Sequence, residues 1–418
     1  MNFIKTSIYS AISTSISLIT KLISNKIIAV YLGSSGMFLI GQLKDILKIF
    51  YTISTLGIET GTTKYTSELK NKNIEFKNLI STTFQIHLFS SIIIILLIII
   101  FYKYLVVSMS IEMAETNKNL FKYILFISVI SFSIQTFIMS ILNGLKKIKI
   151  YILINIIATI ISAITLILLV IKYSVIGAFY GLIMSPIITL ITAIVICIIS
   201  KPFSLNFINS IFKKKYFKKL SNYTIMAITG PLCLISATFF VRYFVYNEYD
   251  SNHAGSWEAM WRISAIYLLF LTTTFKFYLV PTFTNLKNEK LKKEVFKIWK
   301  TTLPLIIIIT AVVYFFKDLL IELLFTTEFY LINTLILFHL LGDIIKINCW
   351  VLGNILIAKA RTKSFIFFQV EWSMLFIILS VILSNIYGYV GLGLAYLSTY
   401  IIHFIFLNIY FRKLLWKS

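Results

Sequence analysis

Charged side chains inside long apolar segments are the residues of this sequence best placed to do chemistry. Lys44 and Lys48 are four residues apart, and Asp343 precedes Lys346 by three. Residues at these spacings share one face of a helix. Lys44 and Lys48 can therefore attract an anion together, whereas Asp343 and Lys346 can neutralise each other.

The surrounding composition predicts the elements that position these charges. Of 418 residues, 59% are hydrophobic and 13% charged, and the mean hydropathy is +0.90; a soluble domain has about 25% charged residues. Apolar stretches of about 20 residues span a bilayer as helices. The sequence predicts an all-α polytopic membrane protein with about twelve spans, at 7–32, 36–60, 79–101, 121–143, 150–171, 174–199, 217–245, 255–283, 302–325, 331–358, 364–386 and 389–411.

The net charge of +23 is explained by topology, not by nucleic-acid binding. Lysine and arginine are concentrated in alternate loops, as the positive-inside rule describes. This places both termini in the cytoplasm. The first apolar run lacks a cleavage site of the small-residue type and is interpreted as a retained span. The basic loop segment 206–220 can lie on the anionic inner leaflet or be an ordinary cytoplasmic loop.

The two halves of the chain repeat each other. The segment "YSVIGAFYGLIMSPII" from Tyr173 is echoed in the second half by "YGYVGLGLAYLSTYII" from Tyr387. With an even number of spans in each half, the repeats are parallel and related by a pseudo-twofold axis along the membrane normal. We predict a six-helix lobe at 1–200, a basic cytoplasmic linker at 201–220 and a second six-helix lobe at 221–418, with a central cationic cavity.

Further charges within the spans strengthen the expectation of a cationic interior. Each charge facing lipid at the bilayer centre costs roughly 2.5–3.5 kcal/mol, so these groups should face a wet or paired interior. Glu258 and Arg262 are four apart and, like Asp343 and Lys346, are either packing pairs or part of a site. Arg242, near the outer end of its span, is expected to snorkel.

A net-positive cavity with aromatic neighbours suits a bulky anion. Lysine ammonium groups suit phosphate, and tryptophan faces suit sugar rings. The sequence holds no nucleotide-binding motif, so no cofactor is expected and energy would come from an ion gradient, the membrane potential or the substrate gradient. The scattered cysteines and histidines predict neither a disulfide framework nor a metal site.

Five segments resemble a known family: "KIIAVYLGSSGMFLIGQLKD" (26–45), "GLKKIKIYILINII" (144–157), "YTIMAITGPLCLISATFFVRYFV" (223–245), "FYLVPTFTNL" (277–286) and "GDIIKINCWVLGNILIAKA" (342–360). They are similar to the Wzx-type lipid-linked oligosaccharide flippases of the multidrug/oligosaccharidyl-lipid/polysaccharide exporter (MOP) superfamily, in the branch with the O-antigen and enterobacterial common antigen flippases. The resemblance spans nearly the whole chain.

The resemblance implies a twelve-helix, two-lobed transporter of the bacterial inner membrane. Its cargo would be an undecaprenyl-diphosphate-linked oligosaccharide, the O-antigen repeat unit of lipopolysaccharide biosynthesis, moved to the periplasmic leaflet by alternating access. Membrane lipids, an O-antigen polymerase and a chain-length regulator are the implied partners. The matching substrate-binding candidates are Lys21, Lys26, Lys44, Lys48, Arg262, Lys276 and Lys346, supported by Asp45, Trp257, Glu258, Trp261 and Asp343. Glu371, with the two tryptophans, is a candidate for sugar contact.

Two other classes of function remain as alternatives. A cation-coupled multidrug exporter would share the architecture but should have an acidic cavity. A flippase for another precursor, such as capsule or enterobacterial common antigen, would share the basic one. An enzyme is not expected, since the longest loops are short, rich in lysine, and offer no catalytic carboxylates.

Overall fold

The structure is a computed structural model that describes residues 3–71, 73–108, 115–202, 212–286 and 288–416. Helices account for nearly all of these residues, and no strand occurs among them. The elements are α1 (Phe3–Thr55), α2 (Glu59–Leu69), α3 (Asn73–Ser108), α4 (Glu115–Gly144), α5 (Ile148–Ser200), α6 (Lys214–Glu248), α7 (Ser251–Asn285), α8 (Asn288–Phe315), α9 (Lys317–Leu324), a 3₁₀ turn (Thr327–Leu331), α10 (Ile332–Ala358), α11 (Thr362–Tyr387), α12 (Val390–Tyr410) and α13 (Arg412–Leu415).

The predicted number of spans is confirmed. Within the described ranges, nine helical stretches are long and apolar enough to cross a membrane. Two of them contain a double-length helix: α1 is broken at Gly33 (φ 63°) and α5 at Ser174 (φ 51°). Positive φ ends a right-handed helix, so each of these stretches is two spans. Helix α7, with 35 residues, lies where the eighth span was predicted.

The internal repeat is visible in the backbone. In the first half of the chain, φ is positive at Lys146 (58°) and Ser174 (51°). In the second half it is positive at Ala360 (49°) and Gly388 (64°), and the number of residues between the two positions is the same in each half. Three of these four residues are not glycine, so their left-handed conformation is unusual. The same two turns are therefore built at equivalent places in both halves, as the sequence echo predicts.

Just after the turns at Ser174 and Gly388, a glycine lies very close to the backbone of the preceding span in both halves. A Cβ added at Gly177 would lie 1.9 Å from the carbonyl oxygen of Leu169, and one added at Gly391 would lie 2.1 Å from that of Leu383. Any side chain would clash there, since real Cβ atoms do not approach oxygen so closely. Glycine is thus required at both positions for the chain to fold back after the preceding span.

The chain forms two compact units: the first comprises Met1–Leu32 and Gln42–Pro231, the second Gly33–Gly41 and Leu232–Ser418. In the first, α4 packs against α2, α3 and α5; in the second, α10 packs against α7, α8 and α12. The predicted lobe boundaries stay a prediction, because residues 203–211 of the predicted linker lie outside the described part of the chain.

Residues 33–41 are bound into the second unit by close polar contacts. The Ser34 hydroxyl donates to Asn252 Oδ1 (2.5 Å), and the Ser34 amide donates to Glu328 Oε2 (3.3 Å). Phe38 stacks on Tyr246 with ring centroids 4.5 Å apart. The break at Gly33 allows the chain to leave one helical direction and make these contacts.

Candidate functional site

Two adjoining cavities of the first unit form a recess lined by many polar side chains. Their volumes are about 340 and 240 Å³. Lys44, Leu182, Ser185 and Thr189 line both cavities, so the two are neighbouring parts of one recess, which we call the lysine cavity. The walls come from the two halves of α1, from α4 and from the two halves of α5.

The charged side chains that line this cavity are all lysines. Lys21 and Lys44 line the larger part, and Lys44 and Lys48 line the smaller part. The four-residue spacing brings Lys44 and Lys48 to one face of α1, as predicted. Lys48 Nζ lies 3.3 Å from Asp45 Oδ1, but its side chain is 60% exposed while that of Asp45 is 4% exposed. The cavity therefore presents positive charge to any molecule that enters it.

Hydroxyl and amide groups cover much of the remaining wall. They belong to Ser17, Thr20, Ser24, Asn25, Tyr51, Gln135, Asn155, Thr159, Ser162, Ser185 and Thr189. Some hydroxyls are already bonded to their own helix, as where Thr20 Oγ1 donates to the Ile16 carbonyl (2.9 Å). Within the described structure, the buried Ser162 Oγ and Gln135 Oε1 lack a hydrogen-bond partner. Buried polar atoms of this kind cost free energy unless water or a ligand bonds them.

The polar wall could have been predicted from the spacing of its uncharged polar residues, which is a separate signal from the spacing of the charged residues. Asn155, Thr159 and Ser162 recur at intervals of four and three, and Ser185 and Thr189 at four. Both sets lie in α5, the most apolar of the long helices. A polar stripe with helical period inside an apolar helix indicates a face that avoids lipid.

In the second unit, the predicted pairing of Asp343 with Lys346 is confirmed. Lys346 Nζ lies 3.3 Å from Asp343 Oδ1 and donates to Tyr396 Oη (2.8 Å). Tyr396 Oη in turn donates to Asp343 Oδ1 (2.6 Å), and Tyr267 Oη donates to Asp343 Oδ2. Asp343 is fully buried and Lys346 is 7% exposed. The carboxylate therefore has three donors, and the desolvation of both charges is offset by direct bonds.

Aromatic rings enclose the ammonium group of Lys346. Its Nζ lies 5.2–5.7 Å from the centroids of four rings, those of Trp261, Trp350, Tyr396 and Tyr400. Cation–π attraction is strongest where the charge is desolvated, reaching about 2 kcal/mol. The predicted aromatic neighbour Trp261 thus contacts the lysine itself, and its ring also meets Tyr396 edge-on at 5.3 Å.

A second buried set of charges joins α6 to α7. Glu258 Oε1 accepts from Arg262 Nε (3.0 Å), which confirms the predicted pair, and Glu258 Oε2 lies 2.7 Å from Arg242 Nη2. The expectation that Arg242 snorkels was wrong: the residue is 3% exposed, and its guanidinium lies 5.7 Å from the Trp257 ring. Glu258 anchors both arginines inside the unit.

Of the remaining predicted residues, one lies in the first unit and two lie in the second. Lys26 is half-buried on α1 but lines neither part of the cavity, because five residues of helix turn it well away from Lys21. Lys276 lies in α7, and its side chain falls outside the described residues. Glu371, the acidic candidate for sugar contact, lies 2.5 Å from His403 Nδ1.

The side chains that line the lysine cavity are suited to binding an anion. Among the described residues, no group of histidine, cysteine, aspartate or glutamate could hold a metal ion. Ammonium groups close to hydroxyl and amide groups can bind a phosphate and the hydroxyls of an attached sugar. Such charges within a membrane helix mark a substrate path more often than a packing surface.

Comparison with solved structures defines the fold. The inward-facing conformation of a multidrug resistance MATE family transporter of the MOP superfamily matches 95% of both chains with a TM-score of 0.77 and 12% identity. The lipid II flippase MurJ in its inward closed conformation matches 97% of this chain and 87% of its own, with a TM-score of 0.70 and 18% identity. The chain therefore has the all-helical fold of MOP-superfamily transporters.

Sequence comparison adds named relatives. The chain is 24% identical over 408 residues to the lipid III flippase of Escherichia coli (strain K12) and, equally, to that of Shigella flexneri. The alignment covers 97% of this chain and 97% of each relative. No family model matches the sequence.

Proposed function

We propose that the protein is a flippase for a lipid-linked oligosaccharide precursor. The observation that carries this proposal is the lysine cavity, which offers Lys21, Lys44 and Lys48 together with a wall of hydroxyl and amide groups. A diphosphate attached to a sugar chain has the matching chemistry, since it joins anionic oxygens to many hydroxyls. Full-length similarity to proteins named lipid III flippase supports a lipid-linked cargo.

The finer assignment is an undecaprenyl-diphosphate-linked O-antigen repeat unit, moved from the cytoplasmic to the periplasmic leaflet of the bacterial inner membrane. The distribution of lysine and arginine supports cytoplasmic termini. The resemblance of the sequence to Wzx-type proteins supports the O-antigen cargo and the handover to a polymerase and a chain-length regulator. A precursor of capsule or enterobacterial common antigen would fit the same cavity.

Transport by this protein requires no covalent chemistry on the cargo. The lysines bind the diphosphate, the polar wall bonds the sugars, and the lipid tail remains in the bilayer. We propose that it is not an enzyme, that it needs no cofactor, and that an ion gradient or the membrane potential supplies the energy.

A multidrug exporter is the second candidate because the fold matches a MATE transporter. The charge of the cavity opposes it. A cationic drug would meet Lys21, Lys44 and Lys48, and like charges at close range repel by about 1 kcal/mol or more. The cavity thus favours anionic cargo over cationic cargo.

Flipping in proteoliposomes tests the proposal directly. Purified protein is reconstituted with a fluorescently labelled undecaprenyl-diphosphate oligosaccharide, and the labelled sugar exposed at the outer leaflet is measured with a membrane-impermeant quencher. We expect quenching beyond one leaflet's share only when the protein is present, and a slower rate for Lys44→Gln. Equal quenching with and without protein, together with uptake of a cationic dye, would instead support the exporter.

A further inference from the structure

A second recess of the first unit is apolar, whereas the lysine cavity is polar and charged. It is an apolar groove of about 590 Å³, lined by Ile53 and Leu56, by Phe89 and Ile93 of α3, by Phe212 just before α6 and by Phe217 within it. Phe89 is 67% exposed, and Ile93, Phe212 and Phe217 are 40–44% exposed. Its volume lies within the range of about 300–1,000 Å³ that is usual for small-molecule sites.

Lysines are next to Phe212 and Phe217 in the chain, and Lys214 precedes Phe217 by three residues, a spacing that shares one helix face. Lys213, Lys214, Lys215 and Lys218 are exposed, whereas Tyr216 and Leu220 are buried (4% and 0%). Tyr216 and Leu220 pack with Ile58, Leu79 and Ile86. Because one face of this helix is fixed in the core, its lysines are held on the outer face.

Two contacts hold the start of this lysine-rich segment in place beside the groove. The Lys213 amide donates to Thr82 Oγ1 of α3 (3.1 Å), and the Phe212 ring meets the Phe217 ring at 5.9 Å. The lysines and the groove are therefore parts of one preformed surface. An apolar groove on a segment rich in lysine complements a molecule with an apolar chain and an anionic head.

We propose that this groove binds an anionic membrane phospholipid, with an acyl chain along the apolar walls and its phosphate on the lysines of α6. The groove is separate from the lysine cavity. Tyr51 lines the cavity and Ile53 lines the groove, and two residues turn a helix by about 200°. The two recesses thus lie on opposite faces of α1, so a cargo headgroup in the cavity would not place its tail in the groove.

The distribution of lysines also indicates that the bound phospholipid comes from the cytoplasmic leaflet. Anionic lipids give the cytoplasmic leaflet its negative surface potential, which attracts lysine clusters beside membrane helices. The α6 lysines belong to the loop that the positive-inside pattern assigns to the cytoplasm. A bound phospholipid would occupy the protein independently of transport, so the proposal does not depend on the identity of the cargo.

Native mass spectrometry of the full-length protein tests the groove. Protein in detergent receives equal amounts of phosphatidylglycerol and phosphatidylethanolamine with identical acyl chains. We expect phosphatidylglycerol to be retained about tenfold over phosphatidylethanolamine. The triple variant Lys214→Gln/Lys215→Gln/Lys218→Gln should abolish this preference, and Ile93→Trp, which fills the groove, should reduce retention of both lipids.

A matched triple variant separates the groove from general surface charge. Lys290→Gln/Lys297→Gln/Lys300→Gln removes three exposed lysines of α8 and should leave the lipid preference intact. Equal retention of the two lipids by the unmodified protein, or equal loss in both triple variants, would overturn the proposal. Displacement of phosphatidylglycerol by undecaprenyl phosphate would overturn it too, because the groove would then belong to the cargo lipid.

Discussion

Lys48 in the first unit and Lys346 in the second each form an ion pair with a nearby aspartate of the same helix. Each follows an aspartate by three residues, and each ammonium lies 3.3 Å from that carboxylate. Their surroundings differ: the Lys48 side chain is 60% exposed and lines a cavity, whereas that of Lys346 is 9% exposed. The Lys48 ammonium is accessible to a ligand, whereas the Lys346 ammonium is bonded to Asp343 and Tyr396 inside the unit.

This difference qualifies the rule that a charge within a membrane span is functional. We expect the rule to apply where the charge faces open space beside polar groups, as in the lysine cavity. Where a carboxylate, a tyrosine hydroxyl and four rings surround the ammonium, we expect the same residue type to stabilise helix packing instead. The charge alone does not separate the two cases; the partners do.

The largest expected effect follows from breaking the buried pair of the second unit. Asp343→Asn leaves the Lys346 ammonium in a desolvated site without its counter-charge, which should cost about 3–5 kcal/mol of stability. The thermal unfolding of the protein in detergent would show this as a clear fall in Tm. Lys48→Gln, at the exposed pair, should change stability by less than about 1 kcal/mol.

The double variant Asp343→Asn/Lys346→Gln sharpens this result. With both charges removed, no unpaired ion stays buried, so Tm and flipping should both recover most of their original values. A double variant that is stable but does not flip would contradict a purely structural pair and would place Lys346 in the cargo path.

The second largest effect is a fall in the flipping rate when lysines of the lysine cavity, in the first unit, are replaced. Lys44→Ala and Lys48→Ala each remove a charged donor worth about 1.5–3 kcal/mol when it bonds an anion, so the initial flipping rate should fall on the order of 10- to 100-fold. Arginine at either position should retain part of the rate, because the charge remains while the geometry changes.

Lys172→Ala is the matched control for this effect, since Lys172 belongs to the same unit, is exposed and lies outside the cavity wall. Its flipping rate should equal that of the unmodified protein, measured at equal protein abundance. A similar loss for Lys172→Ala and Lys44→Ala would mean that general surface charge, not the cavity, controls the rate.

The sequence predicted the elements better than the site because different physical information sets them. Apolar length predicts spans, and the echo between the two halves predicts an internal repeat. Spacings of three or four residues predict local pairs such as Asp343 with Lys346. Apart from the echo, these signals depend only on neighbours within one helix.

Contacts between distant helices needed the structure. Tyr396 bonds both Asp343 and Lys346 from another helix, and nothing in the local spacing indicates it. Arg242 was expected at the membrane surface because it lies near the end of its span, and its partner Glu258, on the next helix, was not foreseen. Which face of α1 turns toward the cavity also depends on packing, so Lys21 and Lys26 could not be told apart from sequence.

The smallest expected effect concerns a partnered charge at the end of a helix. Asp250 caps α7: its Oδ1 accepts from the His253 amide (2.7 Å) and lies 2.8 Å from His253 Nδ1. Burial alone would raise the pKa of Asp250, but the hydrogen bonds and the charge of His253 together lower that pKa below its ordinary value. A carboxylate whose pKa is lower in the folded state contributes stability above its unfolded pKa and loses it as the pH falls through the folded one.

Replacing this cap should therefore have a small effect that depends on pH. Asp250→Ala should lower stability by about 1 kcal/mol near neutral pH, and the gap in Tm to the unmodified protein should close below about pH 4. Asp250→Asn, which can still cap the helix, should lose less and show a weaker pH dependence. A gap in Tm that stays constant down to about pH 3 would mean that the carboxylate charge has no part in the cap, and that only the hydrogen-bonding geometry matters at this exposed position.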